Sequence, residues 1–238
     1  MIMETVFSFN SLVSFFILCA LEMVLGIDNI IFIAIISQKL PKEQAKKART
    51  MGLSLAIISR IALLISLSWV MSLTATLFTL FGQEISGKDV ILILGGLFLI
   101  TKSTHEIHQK FEAGERAHSS KKSAFFLIIL QILLLDMVFS LDSVITAVGM
   151  VNNIPIMAAA VIVATVIMIF ASHSIAAFVM KYPTIKLLAL SFLVLIGVSL
   201  IAEGLDTHIP KGYIYFAIAY SLSIEILSSR LKKKGIKT

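Results

Sequence analysis

Seven apolar stretches, each close to the length that crosses a lipid bilayer, follow one another along this 238-residue chain. A membrane-spanning helix needs roughly 20 apolar residues. The stretches run approximately over 8–37, 50–73, 89–104, 123–150, 154–179, 185–203 and 212–229. Only short polar joints separate them, so we expect one integral membrane domain over 1–238 and no soluble domain. Because lipid leaves no water to satisfy backbone groups, the sequence predicts an all-α membrane protein with seven transmembrane helices.

The composition supports this class of fold and excludes others. Hydrophobic residues make up 58% of the chain and charged residues 14%, whereas soluble domains are about 25% charged. The net charge of +6 would suit nucleic acid in a soluble protein, but here the expected partner is the lipid bilayer and no nucleic acid. Gly-rich phosphate loops, nucleophile elbows and zinc-protease motifs are missing from the sequence. We therefore expect neither an enzyme nor an organic cofactor.

The basic residues predict the orientation of the chain in the membrane. Of the 20 lysines and arginines, 17 fall in alternate joints and in the C-terminal tail, while Lys88, Lys211 and the mid-span Arg60 do not. Cytoplasmic joints retain positive charge, which places the N-terminus outside and the C-terminus in the cytoplasm. The first residues carry an acid in place of the basic flank of a cleavable signal peptide. The sequence thus predicts a multi-pass membrane protein with a retained first span.

One segment of the chain occurs twice. Leu21–Ile31 (LEMVLGIDNII) matches Leu135–Ile145 (LDMVFSLDSVI) at a constant offset of 114, with five of eleven positions identical. The two copies lie three crossings apart and so run in opposite directions, which predicts a 3+3 inverted-topology repeat plus a seventh helix. The predicted parts are repeat A over about 8–104, a basic cytoplasmic loop over about 105–122, repeat B over about 123–203 and the seventh helix over about 212–229.

Weaker sequence similarities between other spans accompany this repeat. Ser59-Arg60 in the second span resembles Ser172-His173 in the fifth, and the Leu-Phe-Leu-Ile at 97–100 resembles the Leu-Val-Leu-Ile at 193–196. Transporters built from inverted repeats bind their substrate near the middle of the membrane, between the repeats. We therefore expect any ion site on the first and fourth spans.

Four carboxylates lie inside apolar spans: Glu22, Asp28, Asp136 and Asp142. Each costs roughly 2.5–3.5 kcal/mol at the centre of a membrane helix unless something compensates its charge. Arg60 can balance one acid and His173 at most another, which leaves surplus negative charge for a bound cation. The alternative interpretation is structural, with ion pairs and hydrogen bonds to hydroxyl groups satisfying the acids.

The helical period places an acid, a small residue and a neutral oxygen ligand on one stripe of each repeated span. The stripes are Glu22, Gly26 and Asn29 on the first span, and Asp136, Ser140 and Ser143 on the fourth. If the stripes face each other, the helices approach closely at the two small residues and oxygens surround an ion.

Asp28 and Asp142 point about 120° away from Glu22 and Asp136 in straight helices. They share the same site only if the helix unwinds locally, which Gly26 would permit. Otherwise they face the second and fifth spans and form a second site. The sequence leaves both alternatives open.

The candidate ligands are hard oxygen donors. Carboxylates, a carboxamide and hydroxyls suit Mn²⁺, Mg²⁺ or Ca²⁺ rather than Cu⁺ or Zn²⁺, and Asn29 with the nearby Met23 and Met137 favours Mn²⁺. Desolvated carboxylates can also take up protons when a metal leaves. Proton-coupled transport is therefore chemically available.

These motifs resemble the TerC family of bacterial integral membrane proteins, whose name refers to tellurium resistance. The resemblance covers nearly the whole chain and is most specific in the two repeated segments and in 208–217, His-Ile-Pro-Lys-Gly-Tyr-Ile-Tyr-Phe-Ala. It implies a seven-helix inner-membrane protein, with family members linked to manganese efflux and to metal supply for exported enzymes. The family's intramembrane acids and their polar neighbours carry over onto Glu22, Asp28, Asn29, Asp136, Asp142 and Ser143. Tellurite is an oxyanion that such an acidic cavity should repel.

The sequence therefore predicts a transporter that exports a divalent cation, Mn²⁺ before Ca²⁺ or Mg²⁺. Arg60, His173, Gly26 and Ser140 balance the charge or support the ligands. One alternative is a membrane scaffold that assists metalation or assembly of exported proteins beside the secretion machinery. Another is an ion or pH homeostasis transporter for Ca²⁺, Mg²⁺ or Na⁺. Contacts between copies of the chain are a further alternative, because the sequence does not specify the oligomeric state.

Overall fold

The computed structural model describes residues 9–80, 82–112, 122–150 and 153–233, and within them the chain is largely helical. The elements in chain order are α1 (Phe9–Ser37), α2 (Lys42–Ile65), α3 (Leu67–Ser72), β1 (Thr76–Leu80), β2 (Gln83–Ser86), α4 (Gly87–Glu112), α5 (Lys122–Met150), α6 (Ile154–Lys181), α7 (Pro183–Glu203) and α8 (Lys211–Lys233).

Six helices of the described chain are long and apolar enough to cross a membrane: α1, α2, α4, α5, α6 and α7. The fold is therefore that of a multi-pass helical membrane protein, as the sequence predicts. Helix α8 has basic residues at both ends and Glu225 within it, and it is not one of the six. The seventh crossing, the inverted repeat and the orientation in the membrane stay predictions.

The second span differs from its predicted bounds of 50–73. Helix α2 begins earlier, at Lys42, and ends at Ile65, where Ser66 departs from helical geometry (φ −84°, ψ 27°). The short helix α3 follows, and then β1 and β2 form a two-stranded sheet, so the chain is not all-α. Gly82 (φ 84°) lies in the tight connection between the strands, where a positive φ favours glycine. An apolar count does not register this break, because the residues around it remain apolar.

Part of the predicted loop over 105–122 is helical. Helix α4 continues to Glu112, which places His105 and His108 on its last turns, and residues 113–121 lie outside the described part of the chain. Local signals set other helix ends. The Asn153 side chain accepts a hydrogen bond from the Ile156 backbone N–H (3.3 Å) at the start of α6. Pro183 opens α7, at a position where a missing N–H costs little.

By its internal contacts the chain forms two compact units. The first contains Met1–Thr76, Ser86–Lys88 and Ala117–Ala177, and the second contains Leu77–Ile85, Asp89–Arg116 and Phe178–Thr238. In the first unit, α2 packs extensively against α5, and α1 packs against both. The polar residues predicted to form the ion site are on these helices. The prediction of a single membrane domain remains a prediction.

In the second unit, α4 and α7 cross at two glycines with almost no side chain between them. A β-carbon at Gly96 would lie 2.5 Å from the Gly197 carbonyl oxygen, and one at Gly197 would lie 2.8 Å from the Gly96 carbonyl oxygen. Gly96 also faces Ile201, which lies four residues after Gly197, and Gly197 faces Ile100, which lies four residues after Gly96. From Gly96 to Ile100 along α4, the facing residue on α7 changes from Ile201 back to Gly197. The two helices are therefore antiparallel at this crossing.

Candidate functional site

Arg60 on α2 reaches two carboxylates that come from different helices. Its Nη1 donates to Glu22 Oε2 on α1, and its Nη2 donates to Asp136 Oδ1 on α5 at 2.8 Å. Its Nε lies 3.3 Å and 3.4 Å from the two Asp136 oxygens, so Asp136 is held side-on by the guanidinium. The exposed fractions are 5% for Glu22, 3% for Arg60 and 3% for Asp136. A completely buried ion-pair cluster therefore lies at the meeting point of α1, α2 and α5.

Asp136 has further partners with neutral oxygens. Ser140, one turn later on α5, donates to Asp136 Oδ2 at 3.2 Å, and Ser59 Oγ on α2 lies 3.4 Å from the same oxygen. Ser143 is buried as well, and its hydroxyl donates to the Ser140 carbonyl at 3.2 Å. The stripe predicted on the fourth span is thus a buried row of oxygens, with Asp136 and Ser140 in direct contact.

The stripe predicted on the first span is buried too, but Gly26 has a different neighbour from the one expected. Helix α1 is continuous through Gly26. The atoms nearest to a β-carbon there belong to Met168 on α6, with the sulfur at 2.1 Å, whereas the sequence predicts a close approach between Gly26 and Ser140. An unbranched methionine side chain fills the groove above a glycine readily, and Met168 is buried. Gly26 therefore makes room for α6.

Asn29, two turns after Glu22 on α1, is buried without hydrogen-bond partners. Its exposed fraction is 5%, and within the described structure neither its Oδ1 nor its Nδ2 makes a hydrogen bond. A buried amide without partners costs about 1–3 kcal/mol for each group. Such a group is characteristic of sites that bind something further.

A small cavity lies beside Glu22. Its volume is about 10 Å³, which is room for about one water-sized sphere. Leu18 lies one turn before Glu22, Leu64 one turn after Arg60 and Val144 two turns after Asp136. The cavity is therefore on the side of the cluster nearer the start of α1, which is the predicted outer side. The residues that line it are Leu18, Glu22, Leu64, Val144, Met157, Ala160 and Val161.

The structure leaves some predicted residues apart from this cluster. The side chains of Asp28 and Asp142 lie outside the described part, so their place in one site or two stays a prediction. His173 makes no hydrogen bond or ion pair with Glu22 or Asp136. The basic side chains of Arg49 and Lys46 are the charges that act on His173, and its Nε2 has no partner among the described residues.

The cluster contains two carboxylates and one guanidinium, so with all three ionised it carries one surplus negative charge. Within the described residues, no group of three or more His, Cys, Asp or Glu side chains is arranged to hold a metal. The oxygen donors at hand are Glu22, Asp136 and Ser140, with Asn29 further along α1. Oxygen donors of this kind are the ones that hard cations prefer.

Sequence reasoning missed two neighbours of the cluster. Ser59 carries a signal in the sequence, because it precedes Arg60 in the doublet that echoes Ser172-His173. Met168 carries none, because it is one apolar residue in an apolar helix. Its contact with Gly26 follows from how α1 and α6 pack, which helical periodicity along one chain does not specify.

The chain is similar to known membrane proteins over almost its whole length. It is 53% identical over 223 residues to a UPF0053 protein of Haemophilus influenzae, covering 93% of this chain and 94% of that protein. It is 52% identical over 218 residues to the UPF0053 inner membrane protein YgdQ of Escherichia coli, covering 92% of each. The UPF0053 inner membrane protein YoaE of Escherichia coli is 48% identical over 222 residues, which are 92% of this chain and 43% of YoaE.

No solved structure matches the chain significantly. The relatives named as inner membrane proteins and the six apolar helices make this a multi-pass protein of the bacterial inner membrane. The family described as Integral membrane protein TerC family matches residues 7–236. On this match and on relatives that are about half identical over more than nine tenths of its length, the chain belongs to the TerC family of integral membrane proteins.

Proposed function

We propose that the protein exports a divalent metal cation, Mn²⁺, and that Glu22 and Asp136 form the centre of its binding site. The observation that carries the proposal is the shared guanidinium. Two buried carboxylates from matching positions of a repeated segment hold a single Arg60 between them. Ionisable groups inside membrane helices typically mark the pathway of an ion.

Arg60 acts in this proposal as an internal counter-charge. A guanidinium and a divalent cation bind the same carboxylate oxygens, so they compete, and the incoming ion displaces Arg60 from one or both acids. Ser140 then supplies a neutral oxygen from α5, and Asn29, two turns after Glu22 on α1, supplies a further neutral oxygen along the path of the ion. Asp28, Asp142 and Ser143 are the further ligands that we propose from the family motif.

The choice of Mn²⁺ rests on the donors and on the family resemblance. Carboxylate, carboxamide and hydroxyl oxygens accept Mn²⁺, Mg²⁺ and Ca²⁺ alike. The outward direction rests on the resemblance to a family with manganese exporters. A competition series with Mn²⁺, Ca²⁺, Mg²⁺ and Na⁺ tests the choice of ion.

Flux into proteoliposomes tests the proposal directly. Purified protein is reconstituted, and Mn²⁺ entry is followed with a metal-sensitive dye trapped inside. Glu22→Gln and Asp136→Asn keep the shape of each side chain and remove its charge, and we expect each to lower the initial rate at least tenfold.

Two control substitutions make the same change from acid to amide at exposed residues outside the proposed site. Glu43→Gln alters an exposed acid in the first turn of α2. Asp206→Asn alters an exposed residue whose positive φ (55°) asparagine also tolerates. Both controls should transport at the wild-type rate. Equal rates for the site variants and the controls would overturn the proposed site, and no saturable flux in wild-type vesicles would overturn transport of Mn²⁺.

Proton exchange is the second part of the proposal. A carboxylate that releases a metal ion in a low-dielectric site can take up a proton in its place. We therefore expect an inward-directed proton gradient to accelerate Mn²⁺ efflux from loaded vesicles. A protonophore should remove that acceleration, and an unchanged rate would mean that transport is not coupled to protons.

The ion-pair cluster favours one further candidate, a membrane scaffold whose acids have a structural role. In that case Arg60 holds α1, α2 and α5 together permanently and no ion passes. The flux experiment separates the two candidates, because a scaffold gives no flux, and Glu22→Gln then lowers thermal stability alone.

A further inference from the structure

Arg49 on α2 is a buried cation without an anionic partner in the described part of the chain. Its exposed fraction is 8%. Its Nη1 donates to Ser37 Oγ on α1 at 3.1 Å, and its Nε has no partner. A guanidinium has five N–H donors, and a buried charge without compensation is costly. The described residues therefore offer no acceptor to Arg49 Nε and no negative charge to its guanidinium.

Other unsatisfied nitrogen atoms occur at the same end of these helices. Gln38, the residue after Ser37, has a buried Nε2 without a partner, and so does His173 on α6 at its Nε2. Lys46 lies one helical turn before Arg49, and the charges of both act on His173. Ser37 already donates its hydroxyl hydrogen to the Ala34 carbonyl at 3.1 Å, so it serves Arg49 only as an acceptor. Two permanent positive charges and several free donors thus share this region.

The chemistry of this group selects an anion with several oxygens. Two N–H donors of Arg match two oxygens of a phosphate in a planar fork, and a phosphate presents acceptors to amide and imidazole nitrogens as well. The group lies where α1 ends and α2 begins. Because both helices are long and apolar enough to cross a membrane, we expect this end of them to lie near the lipid headgroups. The joint over 38–49 is rich in lysine, and basic pockets between helices on the cytoplasmic side suit anionic headgroups.

We infer that Arg49, with Lys46, His173 and Gln38 beside it, binds a phosphate group at this end of α1, α2 and α6. The phosphate belongs either to an anionic phospholipid of the adjacent leaflet or to inorganic phosphate in solution. This site is separate from the Glu22–Arg60–Asp136 cluster, and it does not depend on the transport proposal.

Native mass spectrometry of the delipidated protein in detergent distinguishes the sources. The protein is titrated with phosphatidylglycerol, with zwitterionic phosphatidylcholine and with inorganic phosphate. Arg49→Gln retains a partner for Ser37 and removes the charge, and we expect it to weaken phosphate-group binding about tenfold or more. Lys47→Gln changes an exposed neighbour of the same charge and should bind like the wild type.

The melting temperature provides a second measurement, because the inference predicts the direction in which it changes. Removal of an uncompensated buried charge should leave the melting temperature of the lipid-free protein unchanged or raise it. Ligand binding stabilises the folded state, so phosphatidylglycerol should raise the melting temperature of the wild type and of Lys47→Gln, and not that of Arg49→Gln.

Each outcome then has one meaning. Saturable binding of phosphatidylglycerol over phosphatidylcholine, lost in Arg49→Gln, supports a lipid phosphate. Saturable binding of inorganic phosphate with the same dependence on Arg49 supports a soluble anion. Binding that Arg49→Gln leaves unchanged, or no saturable binding of either probe, overturns the inference. If Arg49→Gln fails to fold, His173→Leu replaces it, because leucine removes the imidazole nitrogens, and we expect it to weaken phosphate-group binding about threefold or more.

Discussion

Gly26 on α1 lies directly against Met168 on α6, so that a β-carbon added to the glycine would stand 2.1 Å from the methionine sulfur. Gly26→Ala therefore forces Met168 to move or α6 to shift. Overpacking of this kind costs typically 1–3 kcal/mol. We expect Gly26→Ala to lower the free energy of unfolding by about that amount in detergent micelles, and to slow Mn²⁺ flux, because the contact lies one turn from Glu22.

A double-mutant cycle checks that this particular contact is responsible. Met168→Ala alone leaves a cavity and should also destabilise the protein. With both substitutions the added methyl group occupies part of that cavity, so the combined loss should be smaller than the sum by about 1 kcal/mol or more. Strictly additive losses would show that the strain lies elsewhere.

The glycine crossing in the second unit predicts a larger effect at Gly96. A β-carbon there would meet a backbone carbonyl oxygen at 2.5 Å, and a backbone cannot rotate away as a side chain can. Gly96→Ala should lower the melting temperature clearly. Gly212→Ala is the matched control, because a β-carbon at Gly212 has no atom within 4 Å and alanine favours a helix over glycine. Equal melting temperatures for the two variants would contradict the close crossing.

Removal of the shared guanidinium should destabilise the first unit strongly. Arg60→Gln leaves Glu22 and Asp136 buried without a counter-charge, and loss of one partner of a buried pair costs about 3–5 kcal/mol. In the double variant with Glu22→Gln one of the two unpaired acids is gone, so we expect part of that stability to return. A double variant no more stable than Arg60→Gln would show that the charges do not interact in this way.

The same variant tests the competition between Arg60 and the metal. Without the guanidinium the acids are open to an ion, so Mn²⁺ should raise the melting temperature of Arg60→Gln more than that of the wild type. Ca²⁺ and Mg²⁺ serve as comparison ions. Identical shifts in both proteins would argue that Mn²⁺ binds away from Glu22 and Asp136.

Trp69 on α3 provides an optical probe of the segment after α2. It is the single tryptophan of the chain, it is 58% exposed, and Leu67–Leu80 contains no charged residue. Tryptophan prefers the boundary between lipid and water. In vesicles we expect brominated lipids to quench its fluorescence strongly, with the shallow bromine positions most effective. Strong quenching by aqueous iodide, with little quenching by brominated lipid, would place this segment in water.

Six of the spans and the two buried acids that pair with Arg60 could be predicted, because apolar runs and the carboxylates within them are visible along one chain. Six of the seven predicted spans correspond to helices of sufficient length and apolarity, and a carboxylate such as Glu22 stands out in an apolar run. Sequence alone also identified Arg60 as a balancing charge, although it did not specify that one arginine reaches two acids. That geometry depends on how α2 packs between α1 and α5.

Other features left no comparable trace in the sequence. The break at Ser66 and the short helix α3 lie within residues that are apolar enough to extend a helix, so hydropathy alone predicted a span to residue 73. The Gly26–Met168 contact and the unpartnered Arg49 depend on distances between helices. A helical period gives the face of one helix and does not identify the residue opposite.

At the crossing of α4 and α7, each helix presents the same pair of residues to the other. Gly96 meets Gly197 while each faces the isoleucine that follows the other, so the contact is self-complementary. Twofold dimers make contacts of this kind between two copies of the same surface. Within the second unit, two helices of one polypeptide therefore meet at this crossing as identical protomers would.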